Sequence, residues 1–371
     1  MAESIDTAHL RRKMMAGEKQ QLDWDKIRQF WMQVSIDIGA AMLGALTYIG
    51  DRLGIFSALA DAGAVTSAEL AERTGLSERY LREWLSAMTA AGYVIYDAAA
   101  KTYAMPAEHA MVLARDDSPF FAGGMIEMIV PHVSIAPKVM ESFKNGGGVA
   151  QSEYPPETWE AMERSSASLF RHQLIRNWLP AMPQVVAKLN EGGSSLDVGC
   201  GSGRAAIAIA SAFPKGQVFG FDAHLGSVER ARANAKAAGL GDRIKFDLVD
   251  CTRLPAAQFD FISTFDVVHD SVHPDALLKS IRAALKPDGT YLMVEVNVSS
   301  NLEDNINPMG RLMYSISTLY CMTTSLAHGG AGIGACMGET KARELVAAAG
   351  FKHFRRLPID DMFFALYEIR A

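Results

Sequence analysis

The 371 residues carry 36 basic and 42 acidic side chains, so the formal net charge is 36 − 42 = −6. Apolar residues make up 49% and charged residues 21%, which excludes a disordered chain, and the acidic balance argues against a polyanion held by bulk charge. The four cysteines, Cys200, Cys251, Cys321 and Cys336, form no CxxC pair, so neither a zinc ribbon nor a redox dithiol is indicated and a reducing, cytoplasmic compartment is the expectation.

In chain order, residues 1–22 read as an arm without the apolar core of a secretion signal. Leu22 to Gly50 suits one or two helices, and no membrane span is expected because Asp37 interrupts the apolar run. Ile38 to Leu46 is apolar nearly all round. A helix of that kind must be buried, either against a second copy of the chain as a homodimer or inside the core. Residues 1–50 thus form an arm with dimerisation helices. Residues 51–115 predict a winged helix: Thr66 caps a short helix, and Ser77 caps a second that buries Leu81, Trp84, Leu85 and Met88 at helical spacing. A hairpin of Tyr93–Asp97 and Lys101–Met105 follows. Residues 116–190 read as a helical linker and substrate lid, broken by the glycines after Asn145. Residues 191–371 alternate strand and helix patterns, which predicts an α/β fold with a doubly wound sheet.

The most informative segment is Ser195-Leu196-Asp197-Val198-Gly199-Cys200-Gly201-Ser202-Gly203-Arg204. An apolar strand runs into alternate glycines and then a helix, so a ligand can approach bare backbone beside free N–H groups. The spacing is G-x-G-x-G, not the dinucleotide fingerprint. A second strand ends at Asp222, 19 residues past Gly203, where an acid can accept from both hydroxyls of a ribose. A third strand ends at Asp250-Cys251, where an acid can accept from an adenine amino group.

These residues, with Leu285-Lys286-Pro287-Asp288-Gly289 before a fifth strand, resemble the class I S-adenosylmethionine-dependent methyltransferases. The winged helix and the run Asn301 to Arg311 resemble a bacterial subfamily of dimeric small-molecule methyltransferases. The resemblance implies a Rossmann-like seven-stranded sheet whose last two strands, Lys352–Leu357 and Met362–Ile369, form a hairpin. It implies S-adenosyl-L-methionine as cofactor, contacted by Asp197, Gly199, Gly201, Gly203, Asp222, Ala223, Asp250, Cys251 and Phe265. It says little about the methyl acceptor.

The fourth strand leads to Asp266-Val267-Val268-His269-Asp270. An imidazole there can take the proton of a hydroxyl acceptor, which makes His269 the candidate general base. Asp270 either orients it or caps the next helix, and Glu295, ending the fifth strand, is a candidate orienting group. His269, Asp270 and His273 are metal-ligand types, but their spacing fixes no third ligand and no metal is expected. Met125, His132, Tyr154, Met309 and Met313 are candidate walls of an apolar acceptor pocket, or ordinary core.

O-methylation of a small molecule is therefore the leading expectation, with S- or C-methylation as alternatives. A cofactor-sensing transcriptional regulator is the other reading. Against it, residues 51–115 hold six bases and eight acids, 6 − 8 = −2, so no nucleic acid partner is expected.

Overall fold

The side chain of Asp23 accepts the backbone N–H groups of Asp25 and Lys26 and starts one continuous helix, α1 (Trp24–Arg52). The computed structural model describes residues 22–371, so the expected arm at 1–21 lies outside the described residues. The run Ile38–Leu46 is not a core helix. Ile38 and Met42 are 53% and 66% exposed, and only the side carrying Leu43 and Leu46 packs inward. By length and composition alone α1 could cross a membrane.

The winged helix follows as α2 (Ile55–Ala62), α3 (Ser67–Thr74), α4 (Glu78–Ala90), the hairpin β1 (Ile95–Asp97) and β2 (Thr102–Ala104), and α5 (Ala107–Leu113). Thr66 and Glu69 form a reciprocal capping box at α3. Ile55, Phe56, Leu59, Leu70, Leu81, Trp84, Leu85 and Met88 make its core. The helices α6 (Gly123–Ser134), α7 (Ala136–Asn145) and α8 (Glu157–Leu169) form the bridge to the sheet. A Cβ on Gly124 would come 2.2 Å from the backbone nitrogen of Ser165, so α6 and α8 cross with their backbones nearly touching. A π-helix (Phe170–Trp178) continues α8 and leads to α9 (Pro183–Asn190).

The apolar runs of the C-terminal half form β3 (Ser194–Val198), β4 (Gln217–Asp222), β5 (Ile244–Leu248), β6 (Phe259–Phe265), β7 (Leu285–Val296), β8 (His353–Arg356) and β9 (Phe364–Arg370). The sheet order is β5-β4-β3-β6-β7-β9-β8. The first five are parallel, and β9 pairs antiparallel with both β7 and β8. Leu285 to Gly289 belongs to β7 itself: the register slips between Phe259 and Phe261, and Leu285 pairs ahead of the slip. Helices α10 (Arg204–Ala212), α11 (Leu225–Ala237), α12 (Pro274–Ala284) and α15 (Gly338–Ala348) pack on the two faces. Between the last two, α13 (Pro308–Leu319) and α14 (Cys321–Ala327) return toward the bridge. Strand order reverses between β3 and β6, where open α/β sheets bind ligands.

Candidate active site

The chain leaves β3 through Gly199 and Gly201, with φ of 68° and 51°, values that only glycine adopts readily. A Cβ on Gly199 would come 2.7 Å from Val267, in the loop after β6. One on Gly201 would meet nothing within 4 Å, so this backbone borders open space. Gly203 then caps α10 in the left-handed conformation. Asp222, at the end of β4, accepts the Gly201 N–H at 2.9 Å and the His224 N–H at 2.8 Å. Burial raises its pKa and those two N–H groups oppose the rise.

The three strand-end acids differ in surroundings. Asp197 is 4% exposed and accepts from the Ser263 hydroxyl at 3.3 Å. Burial pushes its carboxyl up to about 8. Asp250 is exposed and turns back on Thr252, accepting its N–H at 3.0 Å and its hydroxyl at 2.6 Å. Of the three, Asp222 engages the glycine turn directly. Ala223 is exposed and Cys251 half-buried beside these acids. Phe265 is braced by Phe170 and Trp178, with ring centroids 4.7 and 6.2 Å away.

At the ends of β6 and β7 the backbone of Asp266 takes a φ of 54°, an uncommon value for a residue with a side chain. The next turn is held by Glu295. One of its carboxylate oxygens accepts the Val268 N–H at 3.0 Å and the other is hydrogen-bonded to His269 Nδ1. The other ring nitrogen, Nε2, lies 3.2 Å from Asp270 Oδ1. Burial alone would lower the pKa of His269; the carboxylates of Asp270 and Glu295 more than reverse this and hold it well above the usual range. His273 stands apart, exposed before α12. A thiol with no counterpart in any sequence motif, Cys321, takes its place beside His269 and Asp270. It sits 52 residues from His269, and no local spacing could have linked the two.

Among the expected pocket walls, Tyr154 and Met313 join one buried cluster with Tyr320 and Cys321, and Met309 packs on its edge. His132 meets the rings of Tyr154 and Tyr320 at 6.0 and 5.3 Å. Burial lowers the pKa of His132, and its Nδ1 lies 2.8 Å from the Met128 carbonyl. Met125, earlier on α6, is half-buried and outside this cluster. The bridge also reaches the glycine turn: Glu163 of α8 pairs with Arg204 and Arg230 and accepts from Asn234, which donates to the Ser202 carbonyl at 3.0 Å. Sequence reading did not find Glu163, because the turn it supports lies far along the chain.

S-adenosylmethionine combines a ribose, an adenine and a cationic amino-acid tail without phosphate. The donor set fits it: bare glycine backbone facing open space, a two-oxygen acid at its lip, and no lysine in the turn.

Comparison with known proteins bears on the two domains and on the fold. Residues 41–115 match the model of the Rv2258c-like winged HTH domain, and residues 189–350 that of a methyltransferase domain. The methyltransferase GfsG of Streptomyces halstedii is 30% identical over 118 residues, 31% of this chain and 42% of that protein, so the chain spans less than half of this curated relative. The structure of the mitomycin 7-O-methyltransferase MmcR superimposes with a TM-score of 0.69 at 21% identity, over 94% of this chain and 100% of the other. Human N-acetylserotonin methyltransferase in complex with S-adenosylmethionine gives 0.65 at 19% identity, over 95% and 99%. Residues 41–115 thus match a winged-helix domain and residues 189–350 a methyltransferase domain, and the whole chain shares the fold of these methyltransferase structures.

Proposed function

We propose that the protein transfers the methyl group of S-adenosylmethionine to a hydroxyl of a small organic acceptor. The observation that carries this reading is the His269 imidazole at the end of β6, gripped at Nδ1 by Glu295 in the turn that packs on Gly199. The similarity to O-methyltransferases such as the mitomycin enzyme supports an oxygen acceptor.

In this reading Asp222 accepts from the ribose hydroxyls. Asp250, Cys251 and Ala223 border the adenine, while Asp197, the glycine turn and Phe265 flank the amino-acid tail. The cofactor, when bound, supplies an electrophilic methyl carbon. The protein's work is then largely positioning, worth about 7–11 kcal/mol when nucleophile and carbon are held in line. Asp270 and Glu295 hold His269 protonated at rest, so it serves as base only after Nε2 has released its proton and parted from Asp270 as the cationic donor enters. Nε2 then takes the acceptor proton, and Glu295 stabilises the imidazolium that forms. The apolar surroundings of Tyr154, Met309 and Met313, with His132, favour an acceptor with an aromatic or alicyclic body. The exposed apolar side of α1, including Phe30, Trp31 and Met42, supports a homodimer.

The test is to incubate the purified protein with isotopically labelled cofactor and a metabolite extract and to identify the labelled product by mass. An O-methylated product is expected. His269→Ala should lower turnover by about 10²–10⁴-fold with donor affinity retained. Undiminished turnover in that variant, or a product methylated on sulfur or carbon, would contradict the hydroxyl mechanism.

A further inference from the structure

Helix α8 meets the rim of the glycine-turn crevice at two points. Trp159 and Glu163 stand four residues apart and so share one face of the helix. Glu163 serves the turn itself, through Arg204 and through Asn234, which donates to the Ser202 carbonyl at 3.0 Å. Trp159 reaches the other wall. Its ring lies 5.8 Å from that of His224, centroid to centroid, with 30° between the planes. That imidazole is a fixed partner. Its Nδ1 accepts the Ser227 N–H at 3.2 Å and caps α11, while the His224 backbone N–H donates to Asp222 at 2.8 Å. A Cβ on Gly226 would come 2.9 Å from the ring, so the bare residue there leaves it room. The Trp159 indole is thereby held close to the carboxylate proposed for the ribose.

Trp159 is not placed like a core tryptophan. Trp178 and Trp84 are 0% and 5% exposed, whereas Trp159 is only half-buried. It packs on the cluster of Tyr154, Met313 and Tyr320 and also leans on the exposed ring of His224. A large ring left partly in water, near glycine backbone that borders open space, gains by being covered with another flat apolar surface. We infer that Trp159 is a donor-binding residue: with His224 it walls the nucleoside half of S-adenosylmethionine from the side of the bridge. The inference rests on the methyl-transfer reading and adds to it a residue from outside the sheet domain. Every nucleobase has a π face, which an indole covers without needing a hydrogen bond. The same side chain borders the acceptor-side cluster, so a seated donor also fixes one wall of the acceptor pocket.

The test titrates the full chain with S-adenosylhomocysteine, followed by calorimetry and by tryptophan emission. Trp159→Leu keeps apolar bulk without a ring and should weaken binding about 5–150-fold, whereas Trp159→Phe should retain most of the affinity. In the wild type the ligand should alter the tryptophan emission, and Trp159→Phe, with the other tryptophans in place, should lose that change. Circular dichroism and urea midpoints report whether each variant is folded. Full affinity in Trp159→Leu, or an emission change of wild-type size in Trp159→Phe, overturns the assignment. Should the leucine variant fail to fold, the emission of the phenylalanine variant decides. The two failures are distinct: binding that ignores Trp159 defeats this assignment alone, whereas no binding in the wild type defeats the methyl-transfer reading and the assignment with it.

Discussion

Asp197 sits inside the sheet with a single hydroxyl partner and no cation against it among the described residues, and its carboxyl is pushed up to about 8 by burial. The folded state therefore holds a proton that the unfolded chain has already lost above about pH 4. Stability should fall as pH rises from there to about 8, by at most about 1.4 kcal/mol per pH unit, and level off beyond. Asp197→Asn should flatten that slope and leave the variant more stable than the wild type at pH 9. Urea unfolding at pH 6 and pH 9 checks this; an unchanged slope would mean that Asp197 is ionised in the folded protein. At this scale the sequence was readable wherever a side chain closes an apolar strand. Asp222 and Glu295 lie at the ends of β4 and β7, and His269 follows the end of β6 by four residues. Cys321 and Glu163 were not readable, because their partners are brought to them only by the packing of α8 and α14.

Helix α8 works as a strut between three parts of the molecule. Glu163 holds Arg204, Arg230 and Asn234 at the glycine turn, while its neighbour Arg164 pairs with Asp51 at the end of α1 and with Asp116 at 3.0 Å. Glu163 is largely buried and serves three donors, so removing it strands two guanidinium groups. Such charge-assisted hydrogen bonds are worth about 1.5–3 kcal/mol. Glu163→Ala should therefore weaken donor affinity by about tenfold or more, and should speed amide exchange across 199–204. Equal affinity and equal exchange would show that the turn is stiff without α8. The elements themselves were legible from apolar period and capping residues, and α3 follows Thr66 as its chemistry requires. The length of α1 was less so. With Gly39, Gly44 and Gly50 inside it, its continuity depends on the surface it meets, not on helix propensity.

On the scale of the whole molecule, one face of the chain is left apolar. Trp24, Phe30, Trp31, Met32, Ile36 and Met42 are each more than half exposed on α1, a concentration unlike that of an isolated soluble surface. A dimer in sedimentation velocity is the expected state, and the double substitution Trp31→Glu, Met42→Glu should shift it toward monomer; a wild-type monomer at micromolar concentration would contradict the dimer. Alternating strand and helix patterns predicted a doubly wound α/β sheet, and the family resemblance implied seven strands with a terminal hairpin; the strand order itself comes from the structure. The acceptor did not follow, because the proposed wall residues Tyr154 and Met313 lie in an apolar cluster with Tyr320 and Cys321 that looks like any core.

We propose that the crevice beside the glycine turn and Asp222 holds an adenosyl donor. Calorimetric titration with S-adenosylhomocysteine tests it most directly. The geometry predicts one site per chain, with affinity reduced about 10–100-fold in Asp222→Ala as charge-assisted hydrogen bonds are lost. No heat of binding in the wild type, or full affinity in the variant, would contradict it.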